Sequence, residues 1–293
     1  MKTAFVFPGQ GSQAVGMGKD LAEKYLDQAN QILGIDLKKI CFEGPEEELK
    51  KTEITQPAIL TVSVAAYESL KNKGVPAPAA VAGHSLGEYS ALVAASAISF
   101  TDAVKIIHLR GKYMQEAVPL GEGSMAAILG LTKEQVEDCC KKASTAGIVS
   151  PANLNSPGQI VISGKKEAVE EASKLCKEAG AKRVIPLQVS APFHCALMQP
   201  AADKLKVELD KIEIKDTQIP VVSNVTANYI TSGSEIKDLL VKQVTNSVLW
   251  EDSIKKMIAD GVESFIEVGA GKVLAGLIKK IDRQIEVKSF QEV

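Results

Sequence analysis

The sequence predicts an α/β protein: a mainly parallel, hydrolase-like sheet flanked by helices, with a ferredoxin-like α+β subdomain inserted into it. Three observations predict it. The run Gly83-His84-Ser85-Leu86-Gly87 fits G-x-S-x-G and stands between a small apolar stretch (79–82) and a helix-compatible one (88–97). Strand-like apolar runs alternate with helical periods along the chain, which suits a parallel sheet covered on both faces. Between two junctions, residues 122–190 follow their own order, β-α-β-β-α-β, the ferredoxin-like unit.

Bulk composition narrows the function classes. The chain has 293 residues, about two domains' worth or one large domain with an insertion. Residues 1–121 and 191–293 are expected to form the larger part and 122–190 the smaller. The 45% hydrophobic content supplies a core, and the formal charge of −2 gives no field that would recruit nucleic acid or an anionic membrane. No apolar run reaches the roughly 18 residues of a membrane span. The apolar start, Thr3-Ala4-Phe5-Val6-Phe7, is cut short by Pro8 and reads as a strand rather than a leader. Five cysteines and three histidines show no metal-ligand spacing, so no metal is expected, and the odd cysteine count suits a reducing cytoplasm.

Taken in order, the first strand (3–7) runs into Gly9-Gln10-Gly11-Ser12-Gln13-Ala14, which fits the G-x-G-x-x-A form of the dinucleotide fingerprint. Pro8 intrudes there, and no second strand ending in Asp or Glu follows about 20 residues on, so the loop serves better as a source of backbone N–H groups and the Gln10 amide. Helices are expected at 17–33 and 46–51, and a longer one at 58–71 with Pro57 near its start. The strand into Ser85, its helix and a further amphipathic helix (102–117) complete the first part. The smaller part has strands at 125–129, 149–153, 159–163 and 183–189, and helices at 132–144 and 166–179. The return passes through Ser190-Ala191-Pro192-Phe193-His194-Cys195. It continues as a helix (197–209), a strand (219–223), helices at 236–244 and 250–260, a strand (264–268) and a last helix. Gly269-Ala270-Gly271-Lys272 resembles part of a P-loop, but Ile266 stands where the earlier glycine belongs and Val273 replaces Ser or Thr, so it is read as a tight turn.

By chance, G-x-S-x-G occurs in about one chain in ten of this length, so its context carries the weight. Strand, sharp turn and helix place a serine hydroxyl at a helix N-terminus, where free N–H groups stabilise an oxyanion. Ser85 then needs a base. His84 adjoins it, and neighbouring side chains diverge; His108 sits mid-helix, where packing roles are commoner. His194 lies in an irregular loop at a junction and is the best candidate. No carboxylate stands out as a third member, which leaves an amide or a backbone carbonyl to orient the ring. Arg110 could bind a carboxylate with its planar fork if it faces Ser85; a surface position on an amphipathic helix is the alternative.

Several stretches together resemble the malonyl-CoA:acyl-carrier-protein transacylases. They are Phe7-Pro8-Gly9-Gln10-Gly11-Ser12-Gln13, Thr55-Gln56-Pro57-Ala58, Gly83-His84-Ser85-Leu86-Gly87-Glu88, Arg110-Gly111-Lys112-Tyr113-Met114-Gln115, Asn155-Ser156-Pro157-Gly158-Gln159 and Pro192-Phe193-His194. The resemblance covers nearly the whole chain, in the family's order. It implies ping-pong transfer of malonyl from coenzyme A to the phosphopantetheine thiol of acyl carrier protein, in fatty acid synthesis. It implies Ser85 as nucleophile, His194 as base and then acid, and an oxyanion hole from the N–H groups of Leu86 and Gln10. Arg110 would pair with the malonyl carboxylate, and the Gln243 carbonyl would orient His194. Phe193 occupies a position that varies in the family, which bears on acyl selectivity. No cofactor is implied; malonyl-CoA and acyl carrier protein are the expected partners, and the chain is expected to act as a monomer. Three rivals remain: a serine esterase or thioesterase, a polyketide-type acyltransferase using another extender, and a nucleotide-binding protein using the Gly9–Ala14 loop.

Overall fold

The computed structural model describes residues 2–189 and 191–293. Ser190, where the sequence places the return to the larger part, lies outside the described residues. The chain opens with β1 (Thr3–Phe7), then α1 (Glu23–Leu33), α2 (Leu37–Glu43), α3 (Glu46–Leu49) and α4 (Thr52–Asn72). Next come β2 (Ala80–Gly83), α5 (Gly87–Ala94) and α6 (Phe100–Glu116). An antiparallel unit follows: β3 (Gly123–Leu129), α7 (Lys133–Ala143), β4 (Val149–Ser156), β5 (Gln159–Lys165), α8 (Lys166–Glu178) and β6 (Arg183–Pro186). The remainder is α9 (Gln199–Leu209), β7 (Val221–Val222), β8 (Tyr229–Ile230), α10 (Gly233–Gln243), α11 (Trp250–Ala259), β9 (Ser264–Glu267), α12 (Val273–Ile281) and β10 (Glu286–Ser289).

The large sheet has the order β10-β9-β1-β2-β7-β8 and is parallel except for the β7–β8 pair. Side chains alternate across a strand, so each central strand feeds two cores. Phe5, Phe7, Val81 and Val221 face the layer that holds α1, α4, α5, α6, α9 and α10. Ala4, Val6, Ala80, Ala82 and Val222 face Trp250, Ile254, Leu274 and Ile278 of α11 and α12. Small residues on β2 let this second layer lie close beneath the strand that carries Ser85.

The small sheet runs β4-β5-β3-β6 with all pairs antiparallel, the split βαβ arrangement expected for 122–190. One face packs Ala126, Ile128, Ile160 and Ile162 on α7 and α8. Thr132 opens α7 with a capping box closed by Gln135, which satisfies two otherwise orphaned N–H groups. From the other face, Met125, Ala152 and Val161 join the large core, so this sheet roofs the end of the large one. The roof is hydrogen-bonded in place: Leu154 N–H donates to Val248 O at 2.9 Å, and Val248 N–H to Ala152 O at 2.8 Å.

Some elements differ from expectation. The helix expected at 17–33 begins at Glu23, because Gly16 and Gly18 take φ of 94° and 78° and turn the chain first. The segment 37–43 is a helix that the periodicity did not reveal; Asp36 caps it by accepting from Lys39 N–H. The strand at 219–223 shortens to Val221–Val222, and β6 ends at Pro186. The edge strands β8 and β10 were not anticipated; both are short.

The α4 start shows how packing overrides a local rule. Pro57 lies inside α4 rather than near its start. A proline has no N–H for the carbonyl four residues back, here Glu53. His108 of α6 supplies the missing donor: its Nδ1 lies 2.9 Å from Glu53 O. Beside it, Gly111 lets α6 approach the α4 backbone, since a Cβ there would meet Thr52 O and Glu53 Cα. His108 is thus a helix-to-helix clamp.

Candidate active site

The site sits at the C-terminal end of the parallel strands, under the small sheet. β2 ends at Gly83, and Ser85 follows at φ 53°, a left-handed conformation rare for a residue with a side chain. The elbow glycines are required by contact. A Cβ on Gly83 would overlap the Gly87 carbonyl, and one on Gly87 would overlap Phe7 O. His194 is held in the same way, at φ 58°, in the turn before α9. Both members of the expected pair therefore occupy strained backbone positions.

The structure brings these two residues together. Ser85 Oγ lies 2.7 Å from His194 Nε2. His194 Nδ1 lies 2.8 Å from Gln243 O at the end of α10. A carbonyl only accepts, so Nδ1 carries the proton and Nε2 offers a lone pair to the serine hydroxyl. Burial, then the nearby Arg110 guanidinium, pushes the His194 pKa down to about 3, so the free imidazole is neutral at neutral pH. That leaves a hydroxyl poised to give its proton to a base.

Arg110, on α6, is 1% exposed. Its Nη2 donates to Ser85 Oγ at 3.1 Å and to Gln243 Oε1 at 3.0 Å, and its Nη1 to Gln56 Oε1 at 2.7 Å. The guanidinium also stands 5.7 Å over the Tyr89 ring. A buried cation touching the nucleophile favours negative charge on the hydroxyl oxygen and on any anionic group bound beside it. The surface alternative for this residue is excluded by its burial.

Leu86 opens α5, so its N–H belongs to the first helical turn, where no carbonyl four residues back is available. Gln10 lies in the first glycine loop, and both residues line the cleft with Gln56, His84, Ser85, Arg110, Phe193 and His194. Met114, Met125, Asn153, Leu187 and Val189 complete the wall. The cleft has a volume of about 130 Å³. The Gly9 backbone packs on the elbow so closely that a Cβ would overlap His84 O. Turns follow this loop up to α1 at Glu23, whereas a dinucleotide fingerprint opens directly into a helix. The Gly9–Ala14 loop thus serves the cleft.

His84 points away from the chemistry. Its Nε2 lies 2.8 Å from Asn155 Oδ1 of β4, and its ring lies 5.5 Å from that of Trp250. It ties the elbow to the small sheet. Burial lowers its pKa, so it too is neutral.

Three contributors were missed as site residues by sequence reasoning. Asn224 follows β7; its Oδ1 accepts from Ser85 N–H at 2.8 Å and its Nδ2 donates to Gly83 O at 2.7 Å. Nothing in the sequence signals it beyond its place at a strand's C-terminal end. Gln56 and Glu88 lay inside stretches that carry the resemblance, but were given no role. Glu88 is 1% exposed and accepts from Gln243 Nε2 at 2.7 Å. Among the described residues, no group of three or more His, Cys, Asp or Glu is placed to hold a metal, and no helix is long and apolar enough to cross a membrane.

A strained serine, a histidine oriented by a carbonyl and a buried arginine on one α/β scaffold define a site for moving acyl groups through a serine ester. Comparison with known proteins agrees. Residues 4–291 match the family model described as acyl transferase domain, and the chain belongs to that family. It is 54% identical to the malonyl CoA-acyl carrier protein transacylase of Escherichia coli K12, over 99% of this chain and 96% of that protein. The Bacillus subtilis 168 protein of the same description is 53% identical, over 97% and 92%. A solved acyl carrier protein S-malonyltransferase from Vibrio cholerae superposes with a TM-score of 0.96 at 49% identity, covering 99% of this chain and 96% of that one. A malonyl-transacylase solved in complex with a type II polyketide acyl-carrier protein gives 0.95 at 49% identity, over 99% and 95%.

Proposed function

We propose that this chain transfers malonyl from coenzyme A to the phosphopantetheine thiol of acyl carrier protein, through a malonyl ester on Ser85, in cytoplasmic fatty acid synthesis. The observation that carries it is the Ser85 hydroxyl held at once by His194 Nε2 at 2.7 Å and Arg110 Nη2 at 3.1 Å. The first contact activates a nucleophile, and the second places a fixed cation where an acyl group bearing a carboxylate would end.

Ser85 Oγ attacks the thioester carbonyl as its proton passes to His194 Nε2. The carbonyl oxygen becomes an oxyanion facing the N–H groups of Leu86 and Gln10. Collapse breaks the C–S bond, and the coenzyme A sulfur leaves with the proton from His194. The carrier thiol then gives its proton to His194 and attacks the ester; the serine oxygen leaves and recovers that proton. The malonyl carboxylate beside Arg110 offsets the guanidinium field that holds the His194 pKa down, so the substrate that fits also strengthens the base. The Gln243 carbonyl keeps the ring in the required tautomer without a third carboxylate.

The test is intact mass after brief mixing with malonyl-CoA and no carrier protein. One malonyl increment is expected on the wild type and none on Ser85→Ala. Steady release of coenzyme A without an increment would indicate hydrolysis instead, and the absence of both an increment and released coenzyme A would overturn the substrate.

A further inference from the structure

Glu88 is a buried carboxyl that the transfer scheme does not use. It lies on the first turn of α5, three residues after Ser85. Its Oε2 accepts from Gln243 Nε2 at 2.7 Å and from Asn224 N–H at 3.2 Å. Both donors go on to hold the nucleophile. Gln243 Nε2 also donates to Ser85 O at 3.0 Å, and Asn224 Oδ1 accepts from Ser85 N–H at 2.8 Å. The two main-chain polar groups of a residue at φ 53° are therefore anchored by two side-chain amides, of Gln243 and Asn224, whose residues both donate to one carboxylate oxygen, Gln243 through that amide and Asn224 through its main-chain N–H.

The orientation of the Gln243 amide follows. Its Nε2 faces three acceptors: Glu88 Oε2, Ser85 O and Asn224 Oδ1. Its Oε1 faces Arg110 Nη2. A flipped amide would set oxygen against carboxylate and N–H against guanidinium. The main-chain carbonyl of this same residue accepts from His194 Nδ1. Glu88, Gln243 and Arg110 thus form a relay of alternating acceptor and donor, with the nucleophile and its base attached to the middle member.

We propose that Glu88 is a positioning residue of this site: its ionised carboxylate fixes the Gln243 amide and the Asn224 main chain in the arrangement that serves Ser85, Arg110 and His194 together. The inference rests on the acyl-transfer reading above. Hydrogen bonds to a carboxylate are roughly twice as strong as those to a neutral acceptor, so the hold weakens when Glu88 takes up a proton. Burial raises its pKa to about 7, against the lowering effects of Gln243, Asn224 and Arg110. The charged or titratable groups around it are Arg110 from α6, His194 from the turn before α9, His84 from the elbow and Tyr89 on its own helix. Both histidines are held neutral by lowered pKa values, and burial holds Tyr89 in its phenol form. The group that titrates near neutrality is then Glu88. Its carboxylate form is present above about pH 7 and lost as pH falls through that value.

The experiment is kcat/KM for malonyl-CoA, which reports the free enzyme, from pH 5 to 9 for the wild type and Glu88→Gln. Glutamine keeps the shape and an acceptor oxygen but not the charge. The wild type should lose activity as pH falls below about 7. The variant should run on the order of ten- to a hundred-fold slower at pH 8, with no inflection near 7. A variant as fast as the wild type, or one that is slower but keeps the inflection, overturns the proposal. If the variant does not fold, the wild type decides alone, and a profile flat from pH 8 to 5 overturns it. A wild type that takes no malonyl increment fails the acyl-transfer reading instead, which separates the two.

Discussion

Two buried clusters lie on opposite sides of the small sheet. Beneath the cleft, Gln56, Glu88, Arg110, His194, Asn224 and Gln243 are each at most 4% exposed, and they come from six separate stretches of chain. Behind the sheet, Ala126, Ile128, Val136, Ile160, Ile162, Val169 and Ala172 are as well buried, and all lie within one β-α-β-β-α run. The apolar cluster is held by contact area, which any side chain of the right size supplies in part. The polar cluster is held by pairing: each donor needs its acceptor, and each lost partner leaves a buried group unsatisfied. Losses in the first should appear as stability. Losses in the second should appear as activity and selectivity, since these bonds set the position of one hydroxyl.

The largest expected effect on selectivity is at Arg110. Arg110→Ala should lower malonyl transfer on the order of ten- to a hundred-fold more than acetyl transfer, the worth of one charge-assisted contact to a carboxylate. Acylation rates with the two thioesters check it, and equal losses would remove the arginine's claim as carboxylate reader. On the apolar side, Ile162→Ala should cost about 2–5 kcal/mol of stability while the activity per folded molecule stays near wild type. Denaturant unfolding alongside active-site titration measures both; a large activity loss with unchanged stability would break the contrast.

A smaller effect separates the clusters by pH. With the His194 pKa down at about 3 from an ordinary 6.5, the unfolded chain binds its proton first as pH falls. Stability is therefore present above pH 6.5 and lost as pH falls toward 3. Glu88 acts in the opposite sense, since its raised pKa costs stability as pH rises through about 7. His194→Ala should lessen the acid loss relative to wild type, whereas Ile162→Ala should shift the whole curve in parallel. Melting temperatures at pH 7 and 4.5 compare them, and identical acid slopes in wild type and His194→Ala would remove the histidine from the account. The smallest effect is at the surface. Lys142→Ala breaks an exposed i,i+4 pair with Asp138 on α7 and should change stability by less than about 1 kcal/mol, with no change in acylation.

The same contrast decides what could be read without a structure. The alternation of the small unit, the capping threonine at Thr132 and the glycines around Ser85 are local signals, and the α/β class and the ferredoxin-like order followed from them. The choice of His194 over His84 and His108 also needed only local context. His84 turns toward Asn155, and His108 donates to the carbonyl that Pro57 leaves free. The residues themselves offered Gln10 and Arg110, the resemblance added Leu86 and Gln243, and the structure sets all four at the cleft or directly behind it. The edge strand β8 escaped notice because two residues carry no period, and β10 because Glu286-Val287-Lys288-Ser289 holds a single apolar residue.

By itself the sequence determined the strand-turn-helix around Ser85, because a small apolar run, a turn whose Gly83 must be bare against Gly87 and a helix-compatible run follow one another within one short stretch. It determined the amphipathic faces, because burial follows a period of two or 3.6. Which polar groups would meet was decided only by the tertiary structure. Glu88 and Gln243, Ser85 and Asn224, Gln56 and Arg110 are separated by between 54 and 155 residues. A hydrogen bond needs its partners within about 3 Å and in line, and no propensity or spacing along the chain encodes that meeting. Only the packing of α4, α5, α6 and α10 around one end of a parallel sheet produces it.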